Sequence, residues 1–236
     1  MTAPVIVALD FETAAGALAL ARRLGPDADH YKVGLQLLTA AGPELVRALQ
    51  HLGKQVFLDL KLHEIPSTVA GAVAAAGRLG VTAVTVHASA GSAVLRAAAD
   101  AARPFPQLKV LALTVITSLA DKDLPEIGLA PSVEEQVMRL AALAGRSGCH
   151  GVVASAQEAA YLSRTLPADS LIVCPGVQLP DPASSPAGFT DQARIATPQA
   201  AARAGATHII VGRAITAATD PAAAFRTALS AYRAAA

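Results

Sequence analysis

The stretch Asp59-Leu60-Lys61-Leu62-His63-Glu64 sets two carboxylates and one ammonium group where an apolar run, Gln55-Val56-Phe57-Leu58, gives out. A carboxylate beside an ammonium in a half-buried place is costly to desolvate unless the two pair, and such groups gather at functional sites more than in ordinary cores. Residues two apart on a strand face one way, so Asp59 and Lys61 are expected together, with Glu64 beyond the strand on the following turn. The segment alone fits either proton-transfer chemistry or a surface ion pair at a strand end. Lysine usage sharpens the first reading. The chain has five lysines against fourteen arginines, and two of the five, Lys32 and Lys61, fall on neighbouring predicted strands. Arginine keeps its proton at neutral pH whereas lysine can release it, so a proton-donating position resists replacement by arginine. With Asp10 and Asp59 close by, alternating charges would hold both ammonium groups protonated by mutual attraction.

The elements that must carry these side chains are short and repetitive. Apolar, often β-branched runs recur along the chain: Val5 to Leu9, Tyr31 to Leu35, Val56 to Leu60, Ala83 to His87, Val110 to Ile116, Gly151 to Ser155, Leu171 to Val177 and His208 to Gly212. Between them lie segments with helical spacing, among them Ala14 to Leu24, Glu44 to Leu52, Ser67 to Leu79 and Glu134 to Ala144. Continuous apolar strands alternating with helices imply parallel strands covered on both faces. Eight such units predict an α/β fold, a closed (β/α)8 TIM barrel, with a doubly wound open sheet as the alternative. Gly53, Gly80, Gly148 and Gly205, each shortly before a strand, suit helix-to-strand turns. No linker or charge block breaks the pattern, so residues 1–236 are expected to form a single barrel domain.

Composition narrows the partners. Lys plus Arg number 19 against 18 for Asp plus Glu, a formal charge of +1, so no broad field draws nucleic acid or an anionic membrane. No apolar run reaches the length of a membrane span, and no export signal is visible at the N-terminus. Cys149 and Cys174 are too few for a disulfide framework and have no metal-ligand spacing, which points to a reduced, cytoplasmic protein without a metal site. Both read as small core residues.

In such barrels the chemistry sits at the C-terminal ends of the strands. There the sequence places Asp10, Lys32, Asp59 with Lys61, His87, Thr117, Pro175-Gly176 and Gly212-Arg213. Any one of these alone is as readily a cap or turn residue; His87 in particular reads as a packed rim residue, with His63 supporting its loop. At Val211-Gly212-Arg213, glycine lets backbone N–H groups approach an anion, a helix start adds positive potential and Arg213 offers a bidentate fork, which together suit phosphate. The loop from Gly176 to Asp191 is too long for a routine connection and reads as a lid closing over a ligand.

Taken together, Val7-Ala8-Leu9-Asp10, Tyr31-Lys32-Val33-Gly34, Asp59-x-Lys61-x-x-Glu64-Ile65-Pro66, Thr85-Val86-His87-Ala88, Thr114-Val115-Ile116-Thr117-Ser118, Pro175-Gly176-Val177, Asp191-Gln192 and Val211-Gly212-Arg213 resemble the orotidine 5'-phosphate decarboxylase family from Val5 to Pro221. The resemblance implies that Asp10 bonds the ribose and that Lys32, Asp59 and Lys61 surround the reacting carbon. It implies that Glu64, Ile65 and Thr68 reach the neighbouring subunit's site, making the functional unit a homodimer with shared sites. Thr117 would contact the pyrimidine, Pro175 border the pocket, and Gln178, Gln192, Gly212 and Arg213 serve the phosphate. No cofactor or metal is implied. Loss of CO2 from ring C6 leaves a poorly delocalised carbanion, which Lys61, held by Asp59 and by Asp10 or Glu64, would stabilise and protonate. Asp59 would repel the substrate carboxylate, and closure over the phosphate would favour the transition state.

The chain departs from the usual bacterial pattern. Glu64 stands where Asp is usual, Ser67 where Asn is common, Gln178 where Arg often follows the Pro-Gly turn, and the lid is longer. The extra methylene of Glu64 displaces its carboxylate by roughly 1.5 Å unless the turn adjusts. Two alternatives stay open. One is a sugar-phosphate enzyme on the same barrel, of the 3-keto-L-gulonate 6-phosphate decarboxylase or hexulose phosphate synthase type; those hold Mg2+ partly through an acid where this chain has Lys32. The other is a nucleotide-binding homologue altered in catalysis through Glu64.

Overall fold

In the computed structural model, which describes residues 3–130, 132–179 and 194–236, eight parallel strands close into a barrel in sequence order. They are β1 (Val5–Leu9), β2 (His30–Gly34), β3 (Gln55–Leu62), β4 (Ala83–His87), β5 (Lys109–Leu113), β6 (Gly151–Val153), β7 (Leu171–Cys174) and β8 (His208–Val211). Closure decides between the two predicted architectures. Ile6 of β1 pairs with His30 of β2 on one side and Ile210 of β8 on the other, so neither terminal strand leaves an open edge.

The helices of the outer layer are α1 (Ala14–Leu24), α2 (Leu35–Ala41), α3 (Glu44–His51), α4 (Pro66–Arg78), α5 (Ser92–Ala102), α6 (Val133–Arg146), α7 (Ala156–Thr165), α8 (Pro198–Arg203), α9 (Arg213–Thr216) and α10 (Pro221–Arg233). Local chemistry sets their starts. The Thr13 hydroxyl accepts from the Gly16 N–H ahead of α1, Ser132 does the same for Glu135 ahead of α6, and the Asp220 carboxylate for Ala223 ahead of α10. Each helix then buries one stripe against the strands: Ala17, Leu20, Ala21 and Leu24 in α1; Val133, Val137, Ala141 and Ala144 in α6. Gly53, Gly80, Gly148 and Gly205 all have φ between 74° and 86°, the left-handed turn expected between helix and strand.

Strand alternation sorts the core into two layers. Val5, Val7 and Leu9, with Tyr31, Val33, Val56, Leu58, Val84 and Val86, face outward onto the helices. Ile6, Ala8, Phe57, Ala83, Leu111, Leu113, Val153, Val173 and Ile210 form a separate cluster, the apolar plug inside the barrel.

Five strands end sooner than their apolar runs, β2 and β8 by one residue, β6 by two, and β5 and β7 by three. β5 ends at Leu113, and just beyond it the Thr114 N–H and hydroxyl both donate to the Val153 carbonyl, 3.1 Å each. β7 stops at Cys174, since Pro175 has no N–H to continue a ladder. Beyond it, Val177 forms an isolated bridge with Ala196, the Gln178 N–H donating to the Ala196 carbonyl at 2.9 Å.

Candidate active site

The inward alternation of the plug continues to the C-terminal rim and there turns polar. Asp10 follows Ile6 and Ala8, Asp59 follows Phe57, and Thr85 follows Ala83, while Lys32 is the inward residue in the middle of β2. Lys32 Nζ lies 3.0 Å from Asp10 Oδ1 and 3.7 Å from Asp59 Oδ2. Asp59 Oδ1 in turn receives Lys61 Nζ at 2.9 Å and the Thr85 hydroxyl at 3.0 Å. The result is one row, Asp10–Lys32–Asp59–Lys61, standing on an apolar floor. Asp59 and Lys32 are 9% and 8% exposed, so their attraction is little screened by water. Asp10 is exposed and pairs with Lys32, and among the described residues Asp59 is the carboxylate ion-paired with Lys61.

Lys61 and Asp59 do meet, but not through plain strand alternation. From Leu58, opposite Val84, to Leu62, opposite Val86, β3 advances four residues while β4 advances two. Lys61 has φ 50°, a left-handed value that costs a residue with a Cβ roughly 1 kcal/mol or more. The bulge re-aims the lysine over the barrel mouth, as bulges beside active sites do. Space around the row is tight. A Cβ added to Gly34 would sit 3.2 Å from Lys32 Nζ and 3.7 Å from Asp10 Oδ1, and one at Gly212 would sit 3.9 Å from Asp10 Oδ2.

The remaining predicted residues surround this row to different degrees. Glu64, Ile65 and Thr68 are exposed, and Glu64 makes no hydrogen bond or ion pair with any described residue. Thr117 is buried on the loop after β5, and Pro175, Gln178 and Gly212 are half-buried. Gln192 and most of the lid, residues 180–193, lie outside the described residues. Arg213 is exposed at the start of α9, which has only four residues. A single turn sums few peptide dipoles, so the expected helix contribution to an anion site is small and the glycine and the guanidinium carry that reading. Half-buried His87 accepts from the Ser89 N–H and stacks on exposed His63 with ring centroids 5.3 Å apart. Burial, then the charges of His63 and Lys61, lower its pKa. Burial pushes the thiols of Cys149 and Cys174 up to about 12, so neither is a ready nucleophile.

Two features had no assigned role in the sequence. Thr85 shares the inward parity of Asp59, a signal available from alternation alone. Glu158 at the start of α7 and Arg194 before α8 form a buried pair at 2.5 Å, and Arg194 Nη2 also donates to the Val115 and Ile116 carbonyls at 3.3 and 3.4 Å. That contact ties the far root of the β7–α8 segment to the loop carrying Thr117. Among the described residues no three of His, Cys, Asp and Glu gather as metal ligands would, and no helix is long and apolar enough to cross a membrane. Two surface cavities of about 490 and 450 Å³ lie beside the N-terminal ends of β5 and β6, away from the row. Arg103 and Arg146 on their walls stand at the C-terminal ends of α5 and α6, where cations complement exposed carbonyls.

Known proteins resemble this chain over nearly its whole length. The sequence is 48% identical over 226 residues to an orotidine 5'-phosphate decarboxylase of Chromobacterium violaceum, covering 95% of this chain and 90% of that protein. It is 52% identical to the enzyme of that name from Halorhodospira halophila, covering 93% and 92%. The crystal structure of orotidine 5'-phosphate decarboxylase from Lactobacillus acidophilus superposes with a TM-score of 0.84 at 35% identity, covering 98% of this chain and 99% of that one. A family model matches residues 3–228, and with these relatives it establishes that the chain belongs to the orotidine 5'-phosphate decarboxylase / HUMPS family.

Proposed function

We propose that this chain converts orotidine 5'-phosphate to UMP and CO2, the last step of pyrimidine nucleotide synthesis, without metal or cofactor. The observation that carries the reading is the alternating row Asp10–Lys32–Asp59–Lys61 at the barrel mouth. Decarboxylation at C6 moves negative charge from a carboxylate onto a ring carbon. A row that presents a carboxylate and an ammonium side by side meets both ends of that movement. Asp59 destabilises the departing carboxylate, and the Lys61 ammonium stabilises the carbanion and then protonates it. Asp10 takes the ribose, Thr117 and Pro175 border the pyrimidine, and Gln178, Gln192, Gly212 and Arg213 hold the phosphate under the loop of residues 176–191.

The sugar-phosphate alternative has less support. Lys32 Nζ occupies the place between Asp10 and Asp59, where a cation already balances both acids and a divalent metal would meet a positive charge.

The proposed working unit is a homodimer, each half one barrel domain over residues 1–236. Ile65 and Leu35, beside the row, are 59% and 57% exposed, apolar surface that suits a partner. Glu64 and Thr68 stand on the same exposed rim and would complete the partner's site. The proposed location is the cytoplasm, where Cys149 and Cys174, both free thiols, stay reduced.

Orotidine 5'-phosphate loses its characteristic absorbance on decarboxylation, so incubation with purified protein and EDTA tests the reading directly. Metal-independent turnover is the expected result. No turnover at micromolar protein overturns it, and UMP binding without turnover favours the altered homologue.

A further inference from the structure

We propose that Thr85 is a positioning residue for this reaction, one hydroxyl that holds Asp59 and Lys61 in their working arrangement; the proposal rests on the decarboxylase reading above. Thr85 is fully buried in β4. Its Oγ1 accepts from the Lys61 backbone N–H at 2.8 Å and donates to Asp59 Oδ1 at 3.0 Å. The same Oδ1 receives Lys61 Nζ at 2.9 Å. The contacts therefore close a ring, from hydroxyl to carboxylate to the lysine side chain, down to the lysine backbone and back to the hydroxyl.

The bulge explains why a side chain is needed there. Between Leu58 and Leu62 the regular pairing of β3 with β4 lapses. A buried N–H without an acceptor costs about 1–3 kcal/mol, and the Thr85 hydroxyl supplies the acceptor for Lys61. Strained backbone such as the φ 50° of Lys61 persists only where its surroundings overdetermine it. Hydroxyls both donate and accept, so one atom joins an N–H to a carboxylate without adding charge, and a β-branched residue on a strand holds that atom in few rotamers. Thr85 acts through Lys61 and Asp59 rather than on the substrate. Its loss should slow the chemical step more than it weakens binding.

Thr85→Val keeps the shape and removes both bonds, whereas Thr85→Ser keeps the hydroxyl. Misplacement near 1 Å costs about 100-fold, so kcat of the Val variant should fall by about 10- to 100-fold. KM for orotidine 5'-phosphate and Kd for UMP should change by no more than about threefold if binding is spared. The Ser variant should recover most of kcat. Amide exchange at Lys61 should accelerate in the Val variant and not in the Ser variant, a readout independent of turnover. A folded Val variant with normal kcat overturns the proposal and leaves the decarboxylase reading intact. Equal losses in Val and Ser also overturn it, since packing alone would then be at work. An inactive parent protein overturns the decarboxylase reading instead, and the Lys61 amide then still reports whether Thr85 holds the segment. If Thr85→Val does not fold, Thr85→Ala against Thr85→Ser makes the same comparison.

Discussion

Lys61 Nζ lies 2.9 Å from Asp59 Oδ1 although the strand between them is no longer regular, Lys61 having turned to φ 50° in the bulge of β3. The ammonium is therefore held by backbone geometry as well as by its charge partner. Lys61→Ala should lower turnover at least about 1,000-fold, while UMP binding by calorimetry remains measurable. Retained activity would remove Lys61 from the proton-donor role. Glycine reaches this φ without a Cβ clash, so Lys61→Gly should unfold later in urea than Lys61→Ala, by about 1 kcal/mol.

Gly34 offers a milder way to disturb the row. Its φ of −93° suits any residue, so alanine brings no backbone strain, yet the added Cβ would press on Lys32 Nζ at 3.2 Å. The ammonium sits at the end of a flexible side chain and can yield by a few tenths of an ångström. Gly34→Ala should keep its melting temperature within a few degrees and lose about tenfold in kcat. A large loss of stability with normal kcat would contradict this account of the contact.

Much of this was legible because barrel physics is periodic. Continuous apolar strands separated by amphipathic helices leave little choice of architecture, and acids and lysines at strand ends stand out against an apolar background. The bulge was not legible. Asp59-Leu60-Lys61 reads as alternating strand, and only the pairing of Leu62 with Val86 reveals the extra residues. Nor was the partner of Arg194, because Glu158 lies 36 residues away and nothing local links them. Thr85 occupied the middle ground. Its inward parity could be read from the chain, but its purpose depended on the bulge opposite.

Glu64 is exposed and unpaired among the described residues, as a side chain meant for a neighbouring subunit would be. Lys61→Ala and Glu64→Ala would then damage different halves of a shared site. Each variant alone should be inactive or nearly so. Mixed and allowed to exchange, they should regain up to about a quarter of wild-type activity, because one of two sites is intact in each hybrid and half of the dimers are hybrids. No recovery in mixtures shown by mass spectrometry to contain hybrids would argue against sharing.

The buried pair Glu158–Arg194 should show the asymmetry of such bridges. Removing one partner strands a charge, at a cost of about 3–5 kcal/mol, whereas replacing both with apolar side chains is far milder. Urea denaturation should find Glu158→Leu and Arg194→Met each strongly destabilising and the double variant more stable than either. Arg194 also fastens the Val115 and Ile116 carbonyls just before Thr117, so KM should rise in the two variants that lack Arg194. Additive losses in the double variant would show that the two side chains act separately.

His30, 1% exposed at the start of β2, gives the fold a dependence on acid. Burial is the largest cause lowering its pKa below the ordinary 6.5. Between the folded value and 6.5 the unfolded chain binds a proton that the folded chain does not. The stability this histidine preserves is therefore whole above pH 6.5 and lost as the pH falls below it, by up to about 1.4 kcal/mol per pH unit. His87 and His150 are shifted the same way, burial again leading, and steepen the decline. Unfolding free energies measured from pH 8 to pH 5 should fall more gently in His30→Gln than in the parent. Parallel curves would mean that His30 does not take up a proton on unfolding, and would assign the acid sensitivity to the other two histidines.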